Sequence, residues 1–435
     1  MRVMKDSGIE WIGEIPQGWK IPPLRSKYAF SKGLSITKAD LVDEGVCVIS
    51  YGQIHSKDNI GVSVRDSLIR HLPANHGSLT EAAKANVGDL IFADTSEDLQ
   101  GCGNCVFVDR DDIYAGYHTL ILRPKEIGLG RYYAYLFAAD AWRAQVRAKV
   151  SGVKLFSITQ DILKSTALLE PPKEEQGRIV DYLDTKCSEI DALIAAKEKT
   201  NALLKERRQS IIYEAVTQGL DTTVPMKDSG VEWIGGIPEG WGLKRLKYLG
   251  SMQIGLTYSP EEIVADGALV LRSSNIQDGK IVHADDVFVV KEIPEKLKVG
   301  EGDILICSRN GSRSLIGKNA VITEEFSGQT FGAFMTIFRG RFNFYIKYLL
   351  NSSVFDYYVG SFLTSTINQL TTSNLGNILV PVPSTEEEMW KIAEHIETEC
   401  QTIDPIIAMN NETIQKLKEY RQSLIYEAVT GKIEV

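Results

Sequence analysis

One sixteen-residue segment occurs twice in this chain of 435 residues. The first copy is MKDSGIEWIGEIPQGW at 4–19 and the second is MKDSGVEWIGGIPEGW at 226–241, with 13 of 16 positions identical. A second repeated pair, with 10 of 12 positions identical, is ERRQSIIYEAVT at 206–217 and EYRQSLIYEAVT at 419–430. Solenoids show many short repeats, whereas two copies with so long a period predict two tandem domains of one fold.

Between the repeated segments the two copies agree in their glycine and apolar positions but differ in their polar residues. The segment GLSITKADLVDEGVCVISYGQI at 33–54 lies opposite GLTYSPEEIVADGALVLRSSNI at 255–276. Short β-rich runs such as GVCVIS and DILICS are separated by glycines, and helical patterns follow them. The pattern predicts a mixed α and β domain whose two copies carry different surfaces.

Each half ends in a pattern that predicts a long helix. In the first half Pro171 and Pro172 precede the predicted start, and two glutamates occupy the first turn, where carboxylates suit the helix dipole. In the second half Ser384 and Glu387 have capping-box spacing. Gly219 and Gly431 follow the last turns and are expected to act as C-caps.

The apolar residues of both predicted helices recur every three or four positions, which makes one narrow seam on each. A helix over 174–217 would be about 66 Å long, too long for an ordinary globular helix. We therefore expect the two helices to pair as a coiled coil. Lys197, Asn201 and Asn410 interrupt the seam. A buried asparagine would fix the register, and exposure at an imperfect seam is the open alternative.

The net charge of −9 is concentrated in the predicted helices. Residues 1–173 hold 21 basic and 20 acidic side chains, and residues 226–383 hold 15 and 16. The counts are 7 and 10 in 174–225, and 5 and 11 in 384–435. Because phosphate neutralisation supplies most non-specific affinity for DNA, this balance argues against strong binding by the chain alone. Local basic clusters can still contact phosphate.

Several other classes of protein are disfavoured by composition. The chain has no run of about 18 apolar residues, so we expect a cytoplasmic protein that does not enter a membrane. Six cysteines in a chain of this length do not form a disulfide framework. The CGNC segment at 102–105 has the spacing of half a zinc site, but zinc needs four ligands and the second copy lacks both cysteines. We expect no metal site.

Taken in order, these motifs resemble the specificity subunit of type I restriction–modification systems over nearly the whole chain. The motifs are the opening MKDSG-EWIG-IP-GW segment, a helix start PPKEEQGRI, an Ile-Asp pair within the helix and an AVTG-like end, each present twice. The second helix start departs from the motif. It reads PSTEEEMWKI, which we interpret as Glu388 in place of Gln176 with one inserted residue.

The resemblance implies an α+β fold with two tandem α/β target-recognition domains, each followed by a long helix. The two helices would pair as an antiparallel coiled coil with pseudo-twofold symmetry. The corresponding boundaries are 1–173 and 221–383 for the recognition domains, and 174–220 and 384–435 for the helices.

The resemblance also implies a function. Each recognition domain would read one half of a bipartite site in double-stranded DNA, and the helices would set the distance between the halves. The repeated surfaces would bind two methyltransferase subunits, which methylate adenine at N6 with S-adenosylmethionine. Translocase–nuclease subunits would join for restriction. No cofactor is expected in this chain itself.

Candidate interface residues follow from the repeats and from the basic clusters. The candidates for partner binding are polar residues repeated in both helices, for which a purely structural role is the alternative: Arg208, Gln209, Glu214, Arg421, Gln422 and Glu427. The candidates for DNA binding are two basic clusters and four residues that follow strands, because arginine suits guanine edges and Asn or Gln suits adenine. They are Arg143, Arg147, Lys149 and Lys154; Arg309, Arg313 and Lys318; and Tyr51, Gln53, Arg272 and Asn275.

No enzymatic motif supports catalysis by this chain. The Pro-Pro pairs lie in IPPL and EPPK, outside the Asn/Asp-Pro-Pro-aromatic motif of amino-methyltransferases. The segment GSRSLIGKN lacks the spacing of a nucleotide-binding loop. We therefore expect a non-catalytic subunit. The alternatives are a self-sufficient DNA-modifying enzyme, a specificity module of another restriction–modification class, and a coiled-coil adaptor that reads no DNA.

Overall fold

The computed structural model describes residues 2–10, 12–126, 128, 130–363 and 368–435. Its contacts divide the chain into two compact units. The first unit contains residues 1–198 and 411–435, and the second contains residues 199–410. Both units include a part of each of the two long helices, Lys173–Gln218 and Glu386–Val429.

The first unit begins with a short antiparallel hairpin and continues with two four-stranded sheets. The hairpin pairs Met4–Asp6 with Glu14–Pro16. In spatial order the sheets contain Arg70–Leu72, Val46–Ile49, Ile113–Ala115 and Lys84–Ala85; and Tyr28–Lys32, Thr119–Pro124, Leu90–Ala93 and Cys105–Phe107. A two-stranded ladder joins Thr95–Ser96 to Phe156–Ser157. The shorter α-helices are Leu24–Lys27, Tyr51–Ile54, Gly130–Ala138, Asp140–Arg147 and Gln160–Lys164.

The second unit also begins with a hairpin and continues with two four-stranded sheets, but its two-stranded ladders and shorter helices differ. Its hairpin pairs Met226–Asp228 with Gly236–Pro238. The four-stranded sheets contain, in spatial order, Ser251–Ile254, Met335–Arg339, Ile304–Cys307 and Asn319–Val321; and Ile263–Val264, Phe288–Val289, Ala268–Leu271 and Thr330–Phe331. Two-stranded ladders pair Gly242–Arg245 with Leu379–Val382, and Ile276–Gln277 with Lys280–Ile281. The shorter α-helices are Asn343–Leu349, Ser353–Phe362 and Thr372–Asn377.

Tyrosines attach each recognition domain to the helix segments of its own unit. In the first unit the Tyr135 hydroxyl donates to Asp184 Oδ1 at 2.6 Å, and Arg131 binds both oxygens of the same carboxylate at 2.8 and 2.9 Å. In the second unit Tyr348 donates to Glu397, which Lys347 also contacts. Most of the helix that carries each tyrosine is buried, and these polar contacts fix its position on the long helix.

The long helices pair through the predicted seam in each unit. In the first unit Ile179 and Leu183 share a buried cluster with Leu424 and Ala428. In the second unit Asn410 Nδ2 donates to Asn201 Oδ1 at 2.8 Å, and these side chains are only 2% and 7% exposed. The asparagines are therefore buried, which resolves the alternative that the sequence left open.

The direction of pairing follows from the ion pairs between the helices. In the second unit Asn201 meets Asn410, while Arg208, further along the first helix, meets the earlier Asp404. Positions that rise along one helix thus meet positions that fall along the other. This antiparallel arrangement, with α/β domains and long helices, confirms the predicted fold class.

The helix ends agree with the sequence except at one cap. Gly219 and Gly431 have φ values of 74° and 71°, the left-handed conformation expected of C-cap glycines. The second long helix begins at Glu386, and the Thr385 hydroxyl accepts from the Glu388 amide at 3.2 Å. The predicted capping-box start at Ser384 is therefore wrong by one residue. Ser384 instead donates to the Gly240 carbonyl at 2.5 Å.

Among the described residues, no helix combines the length and apolar character needed to cross a bilayer.

Candidate nucleic-acid and partner interfaces

Three segments of the first recognition domain meet beyond the ends of its central strands. One follows Val46–Ile49, the second follows Leu90–Ala93, and the third connects Ile113–Ala115 to Thr119–Pro124. We call the surface formed by residues 50–55, 94–96 and 116–118 the first tip. Backbone bonds hold it together: Gly116 donates to Ile49 at 2.7 Å, and Asp94 donates to His118 at 3.1 Å.

Aromatic and imidazole rings cover the first tip. The Tyr51 ring makes edge contacts with Tyr117 and His118, at centroid distances of 5.6 and 5.3 Å. Tyr51 also contacts the ring of His55, which lies between the Thr95 carbonyl and the Asn104 amide. Tyr51, a predicted DNA-binding residue, thus lies in the first tip, where other rings contact it.

The second recognition domain has a second tip at the equivalent strand ends, formed by residues 272–275, 308–310 and 332–334. Gly332 donates to Leu271 at 3.0 Å, and Ser308 donates to Phe334 at 3.0 Å. The exposed Arg309 guanidinium lies over the Phe334 ring, 5.1 Å from its centroid. Arg309 is therefore the DNA candidate in this domain that combines exposure with a fixed aromatic support.

The side chains of Gln53 and Asn275 each accept a hydrogen bond from a backbone amide of their own domain. The Ser50 amide donates to Gln53 Oε1 at 3.1 Å, and the Arg272 amide donates to Asn275 Oδ1 at 2.9 Å. Asn275 is fully buried, and its Nδ2 contacts three further oxygens in the 282–286 loop. Its side chain therefore holds a loop and presents no edge to a base in this structure, contrary to our expectation.

The basic cluster predicted in the first domain is mostly engaged within the chain. Arg143 Nη1 donates to Asn104 Oδ1 at 2.6 Å, and Arg147 Nη2 donates to Asp140 Oδ1 at 2.6 Å. Lys149 bonds the Ser165 hydroxyl at 2.7 Å, while Lys154 is exposed. The cluster is thus not a free phosphate-binding patch. Arg143 and Arg147 line a polar cleft of about 530 Å³, together with His55 and Gln422.

The remaining predicted cations of the second domain differ in exposure and in their contacts. Arg272 pairs with Asp285 through Nη2 at 2.6 Å, which reduces its availability for DNA. Arg313 is exposed and donates to the Gly360 carbonyl at 3.2 Å. Lys318 is half-buried.

The two repeated arginines of the partner-binding hypothesis form matching ion pairs between the long helices. Arg421 Nε lies 3.2 Å from Asp191 Oδ1, and Arg208 Nε lies 3.1 Å from Asp404 Oδ1. These aspartates belong to the repeated Ile-Asp pairs. The ion pairs thus explain why both positions are arginine. The repetition of arginine therefore no longer argues for a partner-binding surface at these positions.

Of the other partner candidates, Gln209, Glu214 and Gln422 are exposed and Glu427 is half-buried. Glu427 accepts from the Ser423 hydroxyl at 3.3 Å. The exposed side chains of this group stay candidates for a partner surface.

The repeated opening segments each pack on the start of a long helix. Trp19 Nε1 donates to Glu175 Oε2 at 3.2 Å, and Trp241 Nε1 donates to Glu388 Oε1 at 2.9 Å. Glu388 is therefore the counterpart of Glu175, and Gln176 corresponds to buried Met389. Our interpretation of an inserted residue at this helix start was wrong, because the two helices keep one constant offset of 213.

The same segments also close the helix ends. A Cβ on Gly431 would lie 2.5 Å from Pro16, and a Cβ on Gly219 would lie 3.2 Å from the Trp241 ring. Each C-cap glycine therefore combines a left-handed backbone with close packing on a repeated segment.

In the CGNC segment Cys102 is buried and Cys105 is half-buried. Burial raises the pKa of Cys105 to about 12 and also raises the pKa of Cys102. Such thiols are poor sources of the thiolate that zinc requires. Among the described residues, no group of three or more His, Cys, Asp or Glu side chains is arranged to hold a metal ion.

Comparisons with known proteins agree with this architecture. Residues 75–205 match the family model of the type I restriction modification DNA specificity domain. The type I restriction enzyme EcoKI specificity subunit of Escherichia coli (strain K12) is 31% identical over 208 residues, which cover 46% of this chain and 44% of that relative. The chain thus matches less than half the length of that curated relative.

A more distant relative matches over almost the full length. The type I restriction enzyme MjaIX specificity subunit of Methanocaldococcus jannaschii is 21% identical, and the alignment covers 98% of this chain and 95% of the relative.

A solved structure extends the comparison to the fold. A chain from work on complex assembly and conformational transition of the type I R-M system superposes with a TM-score of 0.66 at 18% identity, covering 96% of this chain and 99% of that one. This likeness concerns the fold alone. The sequence matches show that this chain is similar to type I restriction enzyme specificity subunits, with residues 75–205 matching the DNA specificity domain of that family.

Proposed function

We propose that this chain is the non-catalytic DNA-specificity subunit of a type I restriction–modification complex. Each recognition domain reads one half of a bipartite site in double-stranded DNA. The single observation that carries the proposal is the contrast between repeated scaffold contacts and unlike tips. Two domains with the same backbone but different exposed side chains suit the reading of two different half-sites.

The long helices and opening segments form the scaffold of the complex in this proposal. They hold two methyltransferase subunits, which carry S-adenosylmethionine, and the translocase–nuclease subunits join that assembly. Support comes from the exposed repeated polar residues Gln209 and Gln422. The arginines next to them serve the helix pair, so the partner surface is smaller than the repeated sequence itself.

The chain binds DNA weakly without its methyltransferase. The recognition domains are close to electrical neutrality, and the basic cluster Arg143, Arg147 and Lys149 is engaged by internal partners. Few cations thus remain to displace counterions from the duplex.

Footprinting and methylation mapping test the proposal. The chain is mixed with a type I methyltransferase subunit from the same cells, and modified adenines are mapped on genomic DNA. We expect one bipartite sequence and no methyl transfer by the chain alone. Methylation by the purified chain would favour the enzyme alternative, and a complex that leaves no footprint would favour the adaptor.

A further inference from the structure

The first and second tips share one backbone arrangement. In both tips a three-residue connection between two strands begins with a glycine, whose amide donates to the last residue of a neighbouring parallel strand. The first residue after a third strand donates its amide to the carbonyl of the third residue of the connection. The distances are 2.7 and 3.1 Å in the first tip and 3.0 Å for both bonds in the second. The connection is Gly116, Tyr117 and His118 in the first domain, and Gly332, Ala333 and Phe334 in the second.

The third residue of each connection is the most exposed ring of its tip. The His118 side chain is 57% exposed, and Phe334 is 57% exposed. His118 also has φ of 54°, a left-handed conformation that costs a non-glycine residue free energy. Neither an exposed phenylalanine nor a left-handed histidine is favoured by folding alone, so the fold does not explain these choices.

The neighbours of these rings differ in a way that matters for recognition. His118 Nδ1 lies 3.4 Å from both Asp94 Oδ1 and Thr95 Oγ1, which orient the ring. Phe334 supports the guanidinium of Arg309 instead. Histidine offers hydrogen bonds, whereas phenylalanine with arginine offers contact with a thymine methyl group and a donor pair for guanine.

Asn310 adds a polar group beside this stack. Its Nδ2 donates to the Ser273 hydroxyl at 3.1 Å, so it ties the segment of Arg309 to the segment that follows Ala268–Leu271. The second tip is therefore held by side chains as well as by its backbone. This pre-organisation lets the exposed ring and guanidinium meet a ligand without further ordering.

We propose that His118 in the first domain, and Phe334 with Arg309 in the second, determine the base preference of the two half-sites. This inference rests on the proposed function and assigns its specificity to the tips. The basic cluster at Arg143 and the loop cap Asn275 are then supporting residues.

The test uses the complete complex with its methyltransferase subunit. Variants His118→Ala, Phe334→Ala and Arg309→Lys are compared with wild type by methylation rates on duplexes changed at each position of each half-site. We expect Phe334→Ala and Arg309→Lys to reduce discrimination about tenfold or more in one half only. His118→Ala should reduce discrimination in the other half.

Matched controls separate recognition from folding. Tyr248→Ala in the second unit and Val87→Ala in the first remove side chains that are 73% and 56% exposed outside the tips, and should leave discrimination unchanged. Equal thermal unfolding of all variants shows that they fold, and Arg309→Lys keeps the charge in any case. Unchanged discrimination by all three tip variants, with a bipartite site in wild type, overturns the inference while the proposed function stands. Absence of any bipartite site in wild type overturns both.

Discussion

Each unit has a tip at its strand ends and a base, by which we mean the contacts of its opening segment with a long helix and the ion pair between the two long helices. The base contacts are alike in the two units, whereas the exposed side chains of the tips differ. At the base, the same residue pairs make contact in both units: Trp19 with Glu175 and Trp241 with Glu388, or Arg421 with Asp191 and Arg208 with Asp404. At the tip the backbone bonds recur together with one side-chain cap, made by Gln53 and Asn275, whereas the exposed side chains change from rings and an aspartate to a stacked arginine.

This difference shows what the repeated sequence preserves. Each base contact needs both members, and at a buried contact such as Trp19 with Glu175 a change of one member alone would break a buried hydrogen bond. The exposed rings and Arg309 of the tips carry no such requirement, because none of their side-chain contacts recurs in the other copy. A duplicated fold can therefore keep its scaffold while its two exposed surfaces diverge.

The largest expected effect breaks the base of the first unit. Replacing Trp19 by alanine removes a side chain that is 1% exposed and also the hydrogen bond to Glu175. We expect the free energy of unfolding to fall by about 3–5 kcal/mol, as for other buried tryptophans. Denaturant unfolding of the purified chain measures this loss.

Trp390→Ala is the control, because it removes a side chain of the same size that is not buried. Trp390 is 54% exposed and stacks on Phe344 with ring centroids 3.7 Å apart. The expected loss is below about 1.5 kcal/mol. Equal losses for the two tryptophans would contradict the view that the opening segment is part of the scaffold.

A second prediction distinguishes the two matching ion pairs. The Arg421 side chain is 11% exposed and its partner Asp191 is 23% exposed, whereas Arg208 and Asp404 are 32% and 54% exposed. We expect Arg421→Ala to cost about 1–3 kcal/mol, because it leaves the shielded Asp191 carboxylate with only the more distant Arg65, at 3.5 Å, beside it. Arg208→Ala should cost less than about 1 kcal/mol.

Double-mutant cycles with Asp191→Asn and Asp404→Asn measure the two coupling energies. A stronger coupling for the Arg208 pair would show that burial does not rank these contacts. If Arg208→Ala loses methyltransferase binding while its stability is unchanged, Arg208 belongs to the partner-binding surface after all.

The smallest expected effect concerns pH at the second tip. The hydrogen bond that His283 Nδ1 donates to Asp286 Oδ2 at 2.6 Å raises the pKa of His283, and Glu325 also faces this ring. Because the pKa of His283 is higher in the folded than in the unfolded state, where it is about 6.5, protonation of His283 stabilises the loop fully below about pH 6.5. This stabilisation is lost as the pH rises through the folded-state pKa. Because Asp286 also accepts from Asn275, the loop that caps the tip should loosen.

Hydrogen exchange corrected for intrinsic rates measures this loosening between pH 6 and pH 8. Protection of residues 272–286 should fall across this range, while protection at Ser50 in the first tip should not. In His283→Gln the pH dependence should disappear. The same pH dependence at both tips would show that it does not arise from His283.

Periodicity and internal repeats predicted the long helices, the seam through which they pair and the α/β domains, since these depend on patterns many residues long. The antiparallel direction of the pairing was predicted by the family resemblance alone. The Glu388 alignment failed because a run of three glutamates allows two registers, and only the contact with Trp241 selects one. Asn275 was mistaken for a base reader because a loop cap and a DNA contact require the same side chain.

His118 and Phe334 were missed because a single ring in a strand connection has no periodic signal. A comparison of the copies around Gly116 and Gly332 contains a usable hint: a shared glycine is followed by unlike residues. Gly116 cannot be replaced freely, since a Cβ there would lie 2.1 Å from Ser50 Oγ. Conserved backbone beside divergent rings is the pattern to look for in such duplicated domains.

The central claim is that the recognition domains read separate half-sites from a common scaffold. Exchange of residues 20–170 for the corresponding region of another specificity subunit tests it most directly, because the opening hairpin, its tryptophan and both long helices stay in place. Methylation mapping of the exchanged complex should show one new half-site, with the other half-site and the spacer unchanged. A change in both half-sites together would contradict the account.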